Sequence, residues 1–317
     1  MSEGSLHRRE RIGEDLQDLG VPLGGGWAGT TTLEEVDDAL HPAPHERMVP
    51  TTGTVVAPST DPTTWDRLTR LRIATISASG QSVHAARRFA DGQSTWLMRP
   101  DSDTTQWLLF DRPAGSERDL VILAHALGAT IVQRGSGGII RVVGPFGVVR
   151  WERYTWHHEP PVRTMVERVA DAPQARQWVT IEALLTFAVH DLGAAGIGAL
   201  LVYRTTDTPG PVVEERLAPP PELRISEPLH LAPLRHALAQ TDGAAIFDIS
   251  GTLRRLGVRL VPSRAAEAAI DPLGGTRHTS ARRYSFDDPD AVVIAVSESG
   301  PVSVLRAGEV LATSRPT

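Results

Sequence analysis

The stretch GGTRHTS, Gly274 to Ser280, runs from two glycines into Thr276, Arg277 and His278 and closes on the hydroxyl residues Thr279 and Ser280. A guanidinium is a planar fork of donors suited to phosphate oxygens, so the stretch reads either as a polar turn or as the phosphate-gripping half of a site. Two shorter pieces carry further chemistry. Asp242-Gly243-Ala244 stands just before a strand-like run, where an Asp-Gly pair is ordinary turn material. Ser297-Glu298 closes another strand-like run. Taken singly, each is common polar punctuation.

What the chain lacks narrows the chemistry. There is no lysine and no asparagine, so all 32 basic residues are arginines. A Walker A loop needs a lysine on the phosphates, a protein kinase needs a lysine and a metal-binding asparagine, and Schiff-base catalysis needs a lysine. All three are excluded. Any phosphate site must be built from arginine, histidine, hydroxyls and backbone N–H groups. Without cysteine there are no disulfides and no thiolate zinc sites. A net charge of −6 argues against a nucleic-acid partner, and Arg254-Arg255 and Arg282-Arg283 read as solvated faces. No apolar run approaches the roughly 18 residues that span a bilayer. Met1 to Glu14 has no apolar core of a secretory signal. No membrane partner and a cytoplasmic location are expected.

The elements that would position these residues follow from periodicity and punctuation. Residues 1–60, rich in Gly, Pro, Thr and acids, read as a flexible N-terminal arm with one helix near Leu33 to Leu40. RIATIS, STWLMR and TQWLLF read as strands. SERDLVILAHALG has a serine start, early acids and a glycine stop, which predicts a helix. ATIVQRG and the run from Gly137 to Tyr154 return to strand character. Residues 61–170 thus form a smaller α/β domain, and 170–176 is its boundary. Beyond it, WVTIEALLTFAVHDLG predicts a helix ending at Gly193, followed by the strand of GIGALLVYR and a Pro-rich loop from Pro209 to Pro221. APLRHALAQ is a short helix. AAIFDI and TLRRLGVRL, which ends at Leu260, form a hairpin through Ser250-Gly251. AVVIAVS and PVSVLR form a second through Ser299-Gly300. Residues 176–317 are therefore α/β with a mixed central sheet flanked by helices. No internal repeat is present.

In that order and setting, GIGALLV (196–202), TDGAAI (241–246), GTRH (275–278), AVVIAVSESG (291–300) and VSVLRAGEV (302–310) together resemble the diadenylate cyclase (DAC) domain, from Trp178 to the end of the chain. The resemblance implies condensation of two ATP into cyclic di-AMP, with a divalent cation, Mg²⁺ or Mn²⁺. It implies Asp242, Arg277 and His278 as catalytic residues, with Asp242 and Glu298 as metal ligands. Gly243, Ala244, Leu260, Thr276, Thr279, Ser297 and Glu298 become the nucleotide contacts. It also implies self-association, with two domains face to face and one ATP apiece. Where many DAC domains read Arg-His-Arg, this chain reads Arg277-His278-Thr279, and Ser299 stands where many carry a second acid. The run on through Ser280, Ala281 and Tyr284 is similar to a divergent branch of the family. The alternative is a catalytically degenerate DAC-like module that binds ATP or cyclic di-AMP as a sensor.

DAC domains are often preceded by sensors, so the N-terminal half is expected to regulate the C-terminal one. His157-His158-Glu159 does not read as a metal site, because adjacent side chains point apart on helix or strand. Trp96, Trp107, Trp151 and Trp156 read as core and rim.

Overall fold

The computed structural model describes residues 3–43, 49–58, 65, 69, 71–102, 104–169, 175–206, 210–211, 213–272 and 275–315. The chain divides into two compact units, Met1–Pro161 and Val162–Thr317. The linker positions 170–174, Pro209 and Gly274 lie outside the described residues.

The N-terminal unit contains β1 (Thr52–Val56), β2 (Ile73–Ser77), β3 (Thr95–Arg99), β4 (Gln106–Phe110), β5 (Thr130–Arg134), β6 (Ile140–Gly144), β7 (Gly147–Glu152) and β8 (Thr155–Glu159). They form one sheet in the order β2-β4-β3-β1-β5-β6-β7-β8, with β1 parallel to β3 and antiparallel to β5. Alternation assigns the faces. Ile131, Val143 and Val148 align across three strands and join one core, while Val132, Val142 and Val149 align and join the other.

Four helices of this unit matter here: α1 (Glu3–Asp18), α2 (Trp27–Leu40), the single turn α3 (Val83–Arg87) and α4 (Glu117–Leu127). In α4, Ser116 and Asp119 form a capping box and Gly128 closes the helix at φ 56°, the start and stop that the sequence predicts. Its Leu120, Leu123, Ala124 and Leu127 bury against the first face. The second face is covered by Ile12 and Leu16 of α1 and Val36 of α2.

The described residues between 3 and 58 do not form the expected flexible arm with one helix: α1, α2 and β1 pack into the unit. The apolar stripe of α1 is too sparse to read from sequence, and ion pairs supplement it: Nε of Arg8 and of Arg9 donate to Asp37 at 2.7 and 2.9 Å. β1 then enters the middle of the sheet.

The C-terminal unit contains α5 (Val162–Val169), α6 (Ala175–Phe187), a π turn (Ala188–Leu192), a 3₁₀ turn (Gly193–Ala195), β9 (Ala199–Arg204), β10 (Val213–Glu214) and α7 (Pro228–Gln240). It continues through β11 (Ala244–Phe247), β12 (Leu253–Leu260), α8 (Arg264–Ala269), α9 (Thr276–Asp287), β13 (Ala291–Val296), β14 (Val302–Arg306) and β15 (Glu309–Thr313). The seven strands run β10-β12-β11-β9-β13-β14-β15, with β9 parallel to β11 and antiparallel to β13. Both faces are buried, which explains the unbroken apolar runs of the central strands. Leu201 and Tyr203 of β9 face α6 and α7, whereas Leu200 and Val202 face Ala281 and Tyr284 of α9.

The unit begins earlier than the 170–176 boundary suggested by composition. Val162, Met165, Val166 and Val169 recur at helical spacing and bury in the C-terminal core.

Candidate functional site

A cleft of about 1290 Å³ opens in the C-terminal unit. Asp242, Gly243 and Ala244 enter it at the start of β11, and Leu260 at the end of β12. Thr276, Arg277 and His278 form the first turn of α9, and Ser297 and Glu298 follow β13. Thr279 alone among the candidate residues is not in the wall, and its hydroxyl donates to the Gly275 carbonyl at 3.4 Å.

Local backbone chemistry aims these groups. Gly275 begins α9 in an extended conformation (φ −79°, ψ 171°) and offers no side chain to cap it. The first-turn N–H groups are therefore presented beside Arg277, an arrangement suited to anions. Gly243 has φ 103°, and a Cβ there would stand 2.7 Å from the Val258 carbonyl oxygen. Only glycine lets Asp242 sit this close to β12. Gly198 acts from below: a Cβ on it would lie 2.7 Å from Cζ of Arg277 and 2.8 Å from Cγ of Glu298.

Nη1 of Arg277 donates to Oε1 of Glu298 at 2.9 Å, and the two side chains are 37% and 70% exposed. A pair so open to water contributes only about 0–1 kcal/mol. It can be exchanged for a phosphate. Nε2 of His278 lies 3.3 Å from the Ser303 hydroxyl, and the Ser297 and Ser299 hydroxyls are 2.9 Å apart.

Sequence reasoning missed several wall residues. Arg283 lies on α9 in register with Thr276 and Ser280, a helical spacing that could have flagged it. Arg216, Arg259 and Glu267 arrive from other elements, and no local pattern announces them. Arg259 pairs loosely with Glu214 at 3.4 Å. The wall thus holds four arginines (Arg216, Arg259, Arg277, Arg283) against three carboxylates (Asp242, Glu267, Glu298), a local cation excess in an acidic chain. Behind α9, burial and the nearby Asp288 charge push the Tyr284 phenol up to about 12, so it remains protonated and serves as core.

Among the described residues no group of three or more acidic or histidine side chains could hold a metal by itself. Mg²⁺ is commonly bound by one or two carboxylates together with substrate phosphates. Asp242 and Glu298 fit a cation shared in that way with a bound phosphate.

Residues 186–310 match the family model described as "DisA bacterial checkpoint controller nucleotide-binding", the DAC domain. Residues 10–159 match the model described as "Probable sensor domain DACNK". No curated protein matches the chain. Among solved structures, the crystal structure of the hypothetical membrane spanning protein from Bacillus cereus is similar over 44% of this chain and 72% of that one, at 19% identity and a TM-score of 0.32. In this chain, no helix among the described residues is long and apolar enough to cross a membrane.

Proposed function

We propose that the C-terminal unit is a diadenylate cyclase, condensing two ATP into cyclic di-AMP and two pyrophosphates under control of the N-terminal sensor domain. The observation that carries this reading is the convergence of Asp242, the uncapped first turn of α9 with Arg277, and Glu298 on one cleft, within residues that match a nucleotide-binding family.

In each half-reaction a ribose 3′-hydroxyl attacks the α-phosphorus of the other ATP. The new O–P bond forms as the bond to the β-phosphate bridge breaks, and pyrophosphate leaves. Catalysis of such a step is chiefly alignment and charge neutralisation. Arg277 exchanges Glu298 for phosphate oxygens, and the N–H groups of α9 add donors. His278 supplies a further donor, and Thr276 and Ser297 supply hydroxyls. Ala244 and Leu260 offer apolar contact to the base. Asp242 accepts the hydrogen bond of the attacking hydroxyl and takes its proton as the O–P bond forms. A divalent cation, when bound, neutralises charge on the triphosphate, and Asp242 and Glu298 are the residues that would hold it. Each domain supplies half of the chemistry, so two domains face each other with one ATP apiece.

Incubation of the purified chain with ATP and Mn²⁺ or Mg²⁺ should yield cyclic di-AMP, and the rate per chain should fall on dilution. Absence of product with either metal sinks the reading. One observation favours a second reading: Thr279 stands where many DAC domains carry a second motif arginine, and it does not reach the cleft wall. A degenerate module would bind ATP or cyclic di-AMP by calorimetry without turning ATP over.

A further inference from the structure

The N-terminal unit has its own cavity, of about 440 Å³, at the start of β1. That volume falls in the range of small-molecule sites, about 300–1,000 Å³. Pro42 and Pro50 give it apolar wall and Thr51 a hydroxyl, while Asp38 of α2 brings one carboxylate. The remaining charge comes from a single helical turn. His84, Arg87 and Arg88 stand at i, i+3 and i+4 on α3 and its cap, so they share a face, and all three border the cavity.

Arg87 is already committed. Its Nε and Nη2 donate to Glu35 at 2.9 and 2.7 Å, and its Nη1 donates to Asp38 at 3.0 Å. Glu35 also accepts from Nη1 of Arg99 at 2.6 Å and from the Thr54 hydroxyl at 2.8 Å. The turn is thereby fixed to α2 and to the sheet. His84 and Arg88 are exposed, and neither forms an ion pair with a carboxylate among the described residues. Among the described residues the wall holds two guanidiniums against one carboxylate, with an imidazole beside them.

We propose that this cavity is a ligand site of the N-terminal unit and takes a small molecule bearing a phosphate or carboxylate group, gripped by Arg88 and His84 with its body against Pro42 and Pro50. Arg87 holds the turn in place, and Asp38 limits affinity by repelling the anion.

Calorimetric titration of the full chain with inorganic phosphate and, separately, with succinate tests this. At least one anion should bind the parent, and the stronger binder tells phosphate from carboxylate preference. Arg88→Gln should weaken that binding about 10-fold, the lower end for a charged hydrogen bond. Asp38→Asn should tighten it severalfold by removing the carboxylate of the wall. If that variant fails to fold, His84→Gln replaces it, with a loss smaller than that of Arg88→Gln. Arg277→Ala, in the other unit, removes any phosphate binding at the C-terminal cleft and should leave the Arg88-dependent binding in place. Failure of both anions to bind overturns the proposal. So does binding that survives Arg88→Gln and disappears in Arg277→Ala, which would belong to the C-terminal cleft.

Discussion

Arginine is the chain's only strong cation, and the buried interior of the N-terminal unit and the C-terminal cleft use it in opposite ways. In the N-terminal unit, Arg150 is 4% exposed and gives Nε and Nη2 to Glu117 and Nη1 to Glu159, carboxylates that are 0% and 1% exposed. Burial alone would lower the Arg150 pKa, but Glu117 and Glu159 more than offset it and hold it raised. Glu35 shows the same balance from the acid side: burial would raise it, yet Arg87 and Arg99 hold it below the ordinary glutamate range. In the C-terminal cleft, by contrast, Arg277 and Arg259 hold exposed partners loosely. A guanidinium locked between buried carboxylates is structure. One that faces water across a weak pair remains available to a ligand.

The largest expected effect tests the structural side. Glu117→Gln leaves the Arg150 charge buried with one fewer counter-charge, which typically costs about 3–5 kcal/mol. Hydrogen exchange across β5 to β8 should speed up accordingly, while Arg277→Ala should leave that region unchanged. Equal effects from the two variants would erase the contrast. Acid probes it without mutation. Because the folded Glu35 and Asp37 pKa values are depressed, their stabilisation is complete above the unfolded carboxylate values and is lost as pH falls through the folded ones. Exchange protection of α2 should therefore decline below the ordinary glutamate value of 4.5.

On the ligand side, Asp242→Asn keeps size but removes the charge that acts on the attacking hydroxyl. Cyclic di-AMP formation should fall by about 100-fold, with ATP affinity much less affected. Full activity in the mutant would exclude that role. Arg277→Ala should weaken ATP binding by about 10-fold, the low end for a charged hydrogen bond because the site is open to water. Unchanged binding would make GGTRHTS a turn and no more.

Particular residues show what the sequence could convey. β9 and β13 were legible because burial on both faces demands unbroken apolar runs. α4 was legible because Ser116 and Gly128 mark its ends chemically. The β11–β12 hairpin was legible for the same reason: Oδ1 of Asp248 accepts from the N–H groups of Ser250 and Thr252, and Gly251 sits at φ 74°. α1 was missed because its hold on α2 relies on Arg8, Arg9 and Asp37, distant pairs with no periodic signature. α5 was given to the wrong half because its stripe of four apolar residues says that it buries, not against which core. At the cleft, the motif residues could be named from the resemblance that their order along the chain carries, and not from local spacing alone. Arg216 and Arg259 could not, since only sheet pairing carries them there.

Gly198 gives the smallest effect and the finest test of the contrast. Its missing side chain leaves room for the tip of Arg277 and the stem of Glu298, so Gly198→Ala must displace both. Those groups end in flexible, solvent-exposed tips, and the pair they form contributes only about 0–1 kcal/mol. Stability should therefore stay within about 0.5 kcal/mol of the parent, the usual range for a surface change. Nucleotide binding should respond more, because a displaced guanidinium no longer aligns with the N–H groups of α9. A loss of ATP affinity of about threefold, roughly 0.65 kcal/mol, with an unchanged melting temperature is expected. If melting falls by several degrees while affinity holds, the Arg277–Glu298 pair belongs with the locked arginines of the N-terminal unit, and the division between the two units fails at this site.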